Sequence, residues 1–119
     1  MIVRNIKDSN PFIALDGSIV REIVHPNNTP SVNQSLAEAR IKPGNATSNH
    51  IHRLTEEIYY ILNGKGRMHL SKKEFIVGEN DAIIIPHGIE HYIENIDDIE
   101  LVFLCCSTPP YTNEDTEIL

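Results

Sequence analysis

The sequence predicts an all-β protein, folded as an antiparallel sandwich or barrel. Three observations carry that expectation. Short apolar or alternating runs recur along the chain, bounded by Gly, Pro and Asn. Turn dipeptides, Asp16-Gly17 and Asn63-Gly64, sit between or after such runs. Between Gly64 and Pro109 no segment is long enough, or periodic enough at 3.6 residues, to form a helix.

Taken in order, Phe12 to Leu15 and Ser18 to Val24 flank Asp16-Gly17 and read as a hairpin with a two-residue turn. His25 to Val32 holds two prolines and two asparagines and reads as a loop. Gln34 to Lys42 alternates, with Leu36, Glu38 and Arg40 on one face and Ala37, Ala39 and Ile41 on the other. Either face is compatible with the barrel interior, so Glu38 and Arg40 face solvent or substrate. Pro43-Gly44 ends that strand. Further strands are expected at Ile58–Leu62, Gly66–Leu70, Glu74–Val77, Ala82–Ile85 and Leu101–Cys106. The acidic segment from Tyr111 to Leu119 reads as a tail or one helical turn. No repeat, linker or boundary interrupts the chain, so residues 1–119 are expected to form one domain.

Two of these strands, Ile58–Leu62 and Ala82–Ile85, are apolar on both faces. One face fills an interior, and the other needs cover from a second sheet or a partner subunit, which points to a homodimer. Tyr59, Met68 and Phe103 are expected to line the core or a pocket, and the adjacent Cys105 and Cys106 to be buried small hydrophobes rather than a disulfide. Glu74, Glu79, Asp97, Asp98 and Glu100 read as solvated loop charges.

Composition narrows the function. The chain has 119 residues, 40 % hydrophobic and 23 % charged, with a formal net charge of −7 and no cluster of Lys and Arg. A phosphate backbone is repelled by that field, so nucleic acid is not an expected partner. No apolar run approaches the roughly 20 residues that span a bilayer. The start, Met1-Ile2-Val3-Arg4-Asn5, lacks the basic and apolar stretches of a signal peptide, and a cytoplasmic location is expected.

The chemistry begins at His50-Ile51-His52. In a strand, residues two apart share a face, whereas in a helix they diverge by roughly 200°. Pro43-Gly44 and the polar residues after it disfavour a helix here, so the two imidazoles project together as a chelating pair. The residues around them are spaced in two sets. Gly44, five residues, His50, one, His52, four, Glu57, six, Gly64 form the first. Pro86, one residue, Gly88, two, His91, three, Asn95 form the second.

These sets resemble the two motifs of the cupin superfamily, at 44–64 and 80–95, with the short spacing of minimal stand-alone cupins. The resemblance covers nearly half the chain, and the flanking strands fit the same fold. It implies an antiparallel jelly-roll barrel (a double-stranded β-helix) with a metal inside. Carried over by position, the metal ligands are His50, His52, Glu57 and His91. One position departs from the pattern. The second motif usually opens with Gly six residues before its Pro, and here Asn80 stands there. Asn is the next-best residue at positive φ, so the turn survives.

Strict alternation from His50 and His52 would bring Glu56 to the metal side, in place of Glu57. The motif spacing instead places a connection at Arg53-Leu54-Thr55 and a new strand near Glu57, with Tyr59 beside it. Around the ligands, Pro86-His87-Gly88 has the residues of a type I turn with Pro second and Gly fourth, and His87 is expected to face solvent. Asn95 is expected to tie down the turn after the ligand strand through its side chain. His25 and His69 match neither motif and read as surface histidines.

Three His and one carboxylate suit one divalent Fe, Mn, Ni, Cu or Zn ion. On an octahedral ion they leave two positions free, as a dioxygenase, isomerase or lyase needs for a small polar substrate. Glu57 is then also the candidate catalytic proton acceptor. The end of the chain, Ser107 to Thr116, resembles that of short stand-alone cupins of the mannose-6-phosphate isomerase-like kind. The alternatives are a non-catalytic cupin that binds or senses a small ligand, and a structural metal site in a dimer.

Overall fold

A computed structural model describes residues 2–119, so the Met1 of the N-terminal reading lies outside the described residues. After a single 3-10 turn at Ile6–Asp8 the chain makes eleven strands among the described residues. These are β1 (Phe12–Ile13), β2 (Ile19–Val24), β3 (Ser35–Ile41), β4 (His50–His52), β5 (Glu56–Asn63) and β6 (Gly66–Leu70). There follow β7 (Lys73–Val77), β8 (Ala82–Ile85), β9 (His91–Asn95), β10 (Leu101–Thr108) and β11 (Thr116–Ile118). They pair antiparallel in two sheets, β1-β2-β3-β10-β5-β8 and β11-β4-β9-β6-β7. This is the all-β jelly-roll architecture expected from the sequence.

Period-two patterning explains which face of each strand is inside. Along β5, Glu57, Tyr59 and Ile61 are buried, while Glu56, Ile58, Tyr60 and Leu62 are exposed. The core between the sheets joins Tyr59, Ile61, Ile83, Ile85, Leu101 and Phe103 of the first sheet to Met68, Val77 and Ile93 of the second. On β3, Ala37 and Ala39 face the interior. Glu38 and Arg40 take the other face, where the Arg40 guanidinium bonds both Glu38 (2.7 Å) and Glu100 (2.8 Å). Neither belongs to the cavity, and Glu100 is an ion-pair partner rather than a free loop charge.

The Asn80 substitution is tolerated as the sequence implied. Its φ is +72°, and its side-chain oxygen accepts a hydrogen bond from the Tyr60 hydroxyl at 3.1 Å. At Gly64 the glycine is obligatory for two reasons: φ is +83°, and a Cβ would lie 2.9 Å from the Glu100 carbonyl oxygen. Asn95 is buried and donates to the carbonyls of Ile41 and Ile99, each at 2.9 Å, so it fastens the turn before β10.

Several local expectations are corrected. The β1–β2 connection is not a two-residue turn: Ile13 pairs with Ile19, and residues 14–18 form the loop, closed by Ala14 N–H to Ser18 O. The segment after Tyr111 is neither a tail nor a helical turn, because β11 pairs with β4. At Pro86 the hydrogen bond runs from Ile89 N–H to Pro86 O, placing Gly88, at φ +76°, third in the turn rather than fourth. The Gly88 N–H instead reaches the carbonyl of His52 at 2.6 Å, joining the two motifs directly. His87 is exposed, as expected. Cys105 and Cys106 are both free thiols facing opposite ways, but Cys105 is half-buried and Cys106 exposed, so neither is the fully buried small hydrophobe expected.

His25 and His69 are not surface residues of no consequence. His25 is buried, donating from Nε2 to the Tyr111 carbonyl at 2.8 Å and accepting at Nδ1 from Asn27 N–H. The ring of His69 stacks on Tyr92, and its Nε2 lies 2.6 Å from Glu94. Both pairings depend on residues remote in sequence, which no local pattern announces.

Candidate metal centre

The two sheets bring His50, His52, Glu57 and His91 to one place. β4 presents His50 and His52 on its inner face, and His91 of β9 is the direct cross-strand partner of His50. Glu57 reaches across from the opposite sheet on β5. All four side chains are buried, and one donor atom from each lies within 4.8 Å of the others. Two donors about 2.1 Å from a common ion are at most about 4.2 Å apart, so a small contraction closes the set.

The hydrogen bonds behind the rings fix which nitrogen points inward. His50 Nδ1 lies 2.7 Å from the Ser48 carbonyl and His91 Nδ1 lies 2.9 Å from the Ile89 carbonyl. A carbonyl only accepts, so both rings carry the proton on Nδ1 and leave the Nε2 lone pair free. His52 Nδ1 meets the Thr116 hydroxyl oxygen at 3.0 Å, and that hydroxyl donates onward to the Thr112 carbonyl. Thr116 therefore accepts, and His52 has the same tautomer. Second partners of this kind are how metal-binding imidazoles are oriented. Ser107 Oγ donates to Glu57 Oε2 at 3.1 Å, which leaves Oε1 for the centre.

What remains at the centre is short of partners. Glu57 Oε1 and His91 Nε2 are buried with no hydrogen bond. Glu57 Oε1 lies 2.8 Å from His52 Nε2 and 3.6 Å from His91 Nε2, but neither contact has hydrogen-bond geometry. Close approach without alignment suits donors that converge on a shared ion instead of on one another. The set fits a transition metal by donor type, by spacing and by these orphaned atoms.

The electrostatics of the four side chains agree. Burial would raise the Glu57 carboxyl, but the His52 and His91 rings outweigh it and hold it at about 2. Burial lowers His52, and Glu57 more than restores it, leaving it raised. His50 is lowered by burial and by His91, which outweigh the raising effects of the Ser48 carbonyl and Asp16. Burial, with Glu57 as the second cause, pushes the Tyr59 hydroxyl and the Cys105 thiol well above their usual ranges. Both are therefore neutral near pH 7.

The choice of Glu57 over Glu56 has a visible cause in the last residues. The turn at Arg53-Leu54-Thr55 is clamped by Asp115, whose carbonyl accepts from Arg53 N–H and whose carboxylate accepts from Leu54 and Thr55 N–H at 2.9 and 3.0 Å. The strand stops there and restarts at Glu56, so alternation is reset and Glu57 faces in. Sequence reading placed Ser107, Asp115 and Thr116 in a terminal segment of family resemblance and gave none of them a role at the site. The alternation of Thr116 and Ile118 was the local sign of a strand, too short to stand without its partner.

A cavity of about 50 Å3 opens from the cluster. Tyr59 and Phe103 serve both core and cavity wall, whereas Met68 is core only. Residues 37–107 match the model of the cupin domain family, and the chain belongs to that family. It is 53 % identical over 109 residues to an uncharacterized protein of Methanocaldococcus jannaschii, covering 92 % of this chain and 87 % of the relative. It is 37 % identical over 75 residues to mannose-1-phosphate guanylyltransferase of Escherichia coli, covering 63 % of this chain but only 16 % of that enzyme. A Thermotoga maritima crystal structure, described as a predicted oxalate decarboxylase, superposes with a TM-score of 0.80 at 24 % identity, covering 91 % of this chain and 99 % of the other.

Proposed function

We propose that this chain, a cupin with a three-His, one-Glu cluster, is a metal-dependent enzyme acting on a small polar molecule, of dioxygenase, isomerase or lyase type. The observation that carries this reading is the convergence of three Nε2 lone pairs and one carboxylate oxygen, with His50, His52 and Glu57 of that set lining an open cavity. In this reading His50, His52, Glu57 and His91 hold one divalent ion. Bound there, the ion supplies Lewis-acid or redox chemistry to a substrate at its free positions.

The chain's own residues supply the rest. Ser48, Ile89 and Thr116 keep the three rings in one tautomer, and Ser107 keeps Glu57 turned inward. Tyr59 and Phe103 exclude water from one wall. Glu57 is the proposed proton acceptor. A closed tetrahedral structural site is disfavoured because the cluster shares its wall with the cavity.

Reconstitution with Fe(II), Mn(II), Ni(II), Cu(II) or Zn(II), then a screen of hydroxy acids, phenols and sugar phosphates, tests the proposal. The sugar phosphates address the mannose-6-phosphate isomerase-like reading, which the guanylyltransferase relative supports only over its 16 % match. Turnover that vanishes in His52→Ala supports the enzyme. Tight ligand binding without product under every metal supports a binding or sensing cupin instead.

The proposed assembly is a homodimer. Ile58, Tyr60, Leu62 and Ile84 are exposed together on the outer face of β5 and β8, next to the free edge of the six-stranded sheet. Light scattering that gives a monomer at high micromolar concentration refutes it. No helix among the described residues is long and apolar enough to cross a membrane. A cytoplasmic location is proposed, supported by two unpaired thiols of the kind a reducing compartment maintains.

A further inference from the structure

The cavity wall is acidic beyond what the cluster needs. Ser18, Val20 and Glu22 line it from β2 and the loop before it, and Glu22 pairs with Ala37 on β3, whose small side chain leaves space in front of the carboxylate. Neither oxygen of Glu22 has a hydrogen bond or salt bridge among the described residues, although the side chain is half-buried. The His25 ring makes no hydrogen bond to it: its Nε2 donates to Tyr111 and its Nδ1 accepts from Asn27. Burial pushes the Glu22 carboxyl up, with the charge of His25 opposing.

Asp16 brings a second carboxylate to the same cavity. It sits in the β1–β2 loop, and its carbonyl accepts from Ser48 N–H at 2.8 Å, which staples the loop beside the His50 strand. Its Oδ1 is occupied by Ser18 N–H and Oγ, and its Oδ2 has no partner among the described residues. No Lys or Arg lines the cavity. That a bound species belongs at this wall is supported, apart from these two carboxylates, by Glu57, only 4 % exposed, whose unpartnered Oε1 is a donor of the metal cluster that the cavity opens from.

The charge balance decides the substrate class. A divalent ion offset by Glu57 alone would leave the cavity with one positive charge, attractive to dianions. Asp16 and Glu22 together turn that into one negative charge. Resting on the metal-dependent reading above, we propose that Asp16 and Glu22 select a substrate with a positively charged amine, held by these carboxylates while its oxygen-bearing end reaches the metal. Dicarboxylates and sugar phosphates have no cationic side chain to meet them here and are excluded as preferred substrates.

The test uses the Zn(II)-loaded protein and small hydroxamates, whose common head chelates the ion and whose tails differ only in charge. Calorimetry compares 3-aminopropanohydroxamate and 4-aminobutanohydroxamate with their methyl-ended counterparts, butanohydroxamate and pentanohydroxamate, and with the carboxylate-ended succinomonohydroxamate. At least one amine tail binds about tenfold tighter than its methyl counterpart, the scale of one charge-assisted hydrogen bond, and the carboxylate tail binds weakest. Glu22→Gln and Asp16→Asn each shrink the preference, and added NaCl shrinks it in the unsubstituted protein, where folding is not in question. Equal affinity for amine and methyl tails, or tightest binding of the carboxylate tail, overturns the substrate class and leaves the metal site standing. Failure of every hydroxamate to bind overturns the metal-dependent reading, and the amine proposal with it.

Discussion

Glu57→Gln keeps the size of the side chain and removes its charge, and the metal-free protein reports the loss. The rings of His52 and His91 hold the Glu57 carboxyl at about 2 against an ordinary value of 4.5. At 1.36 kcal/mol per pH unit, the interaction is worth about 3 kcal/mol, with little solvent screening at so buried a site. Because the folded value is depressed, this stability is fully present above the unfolded value near pH 4.3 and is lost as pH falls toward about 2. His52 is raised, so its contribution is complete below about pH 6.5 and fades as pH climbs through its folded value. The two shifts describe one interaction and are counted once. The window of full strength therefore runs from roughly pH 4.5 to 6.5.

Urea unfolding in the presence of EDTA measures it. With an m-value of about 2 kcal/mol/M, Glu57→Gln lowers the midpoint by about 1.5 M at pH 6, and the gap narrows steadily below about pH 4. Glu56→Gln, at an exposed position, changes stability by no more than about 0.5 kcal/mol at any pH. Metal at a thousand times its Kd adds about 4 kcal/mol to the wild type and far less to Glu57→Gln. A gap that is absent at pH 6, or that does not vary with pH, refutes the ion-pair argument. A damaging Glu56→Gln refutes the strand register.

His91→Ala lowers metal affinity by more than the roughly 10- to 100-fold typical of losing an outer partner, read by metal analysis after dialysis at fixed free metal. Thr116→Val removes the acceptor that orients His52, and metal affinity falls by roughly 10- to 100-fold while the barrel still folds. Asp115→Ala frees the Arg53–Thr55 turn and lowers metal affinity, measured by competition with a chromophoric chelator, with no direct contact to the ion. Gly64→Ala, forced to keep φ at +83° with its Cβ against the Glu100 carbonyl, costs about 2 kcal/mol or more in urea unfolding.

The fold was legible where it depends on local pattern. Gly66–Leu70 and Ala82–Ile85 were read to the residue, because an apolar run between two turn residues has only one extended solution. Asn80 was legible for a similar reason, since few side chains tolerate positive φ and Asn is one of them. The β1–β2 loop was misread because Asp-Gly also occurs in longer connections, and the choice of loop length is made by strand pairing. His25 was misread as a surface residue because the partner of its Nε2, the Tyr111 carbonyl, lies 86 positions away, and a lone histidine has no periodicity to announce it.

The same division runs through the metal centre. His50 and His52 share a face by strand geometry alone, so their pairing was predictable from two letters of sequence. Their usefulness as ligands was not, because it depends on which ring nitrogen is free, and for His52 that is settled by Thr116 on a strand 64 positions away. The neighbouring Asp115 resets the alternation that points Glu57 rather than Glu56 at the ion. One short segment thus fixes both the proton on His52 and the register of Glu57. A strand of three residues has little stability of its own and exists only while paired with β4. Docking of β11 and assembly of the four donors are therefore one event, and metal bound by those donors also holds β11 in place. Amide exchange of Thr116 to Ile118 slows on metal addition in the wild type, and does not in His91→Ala, if that coupling is real.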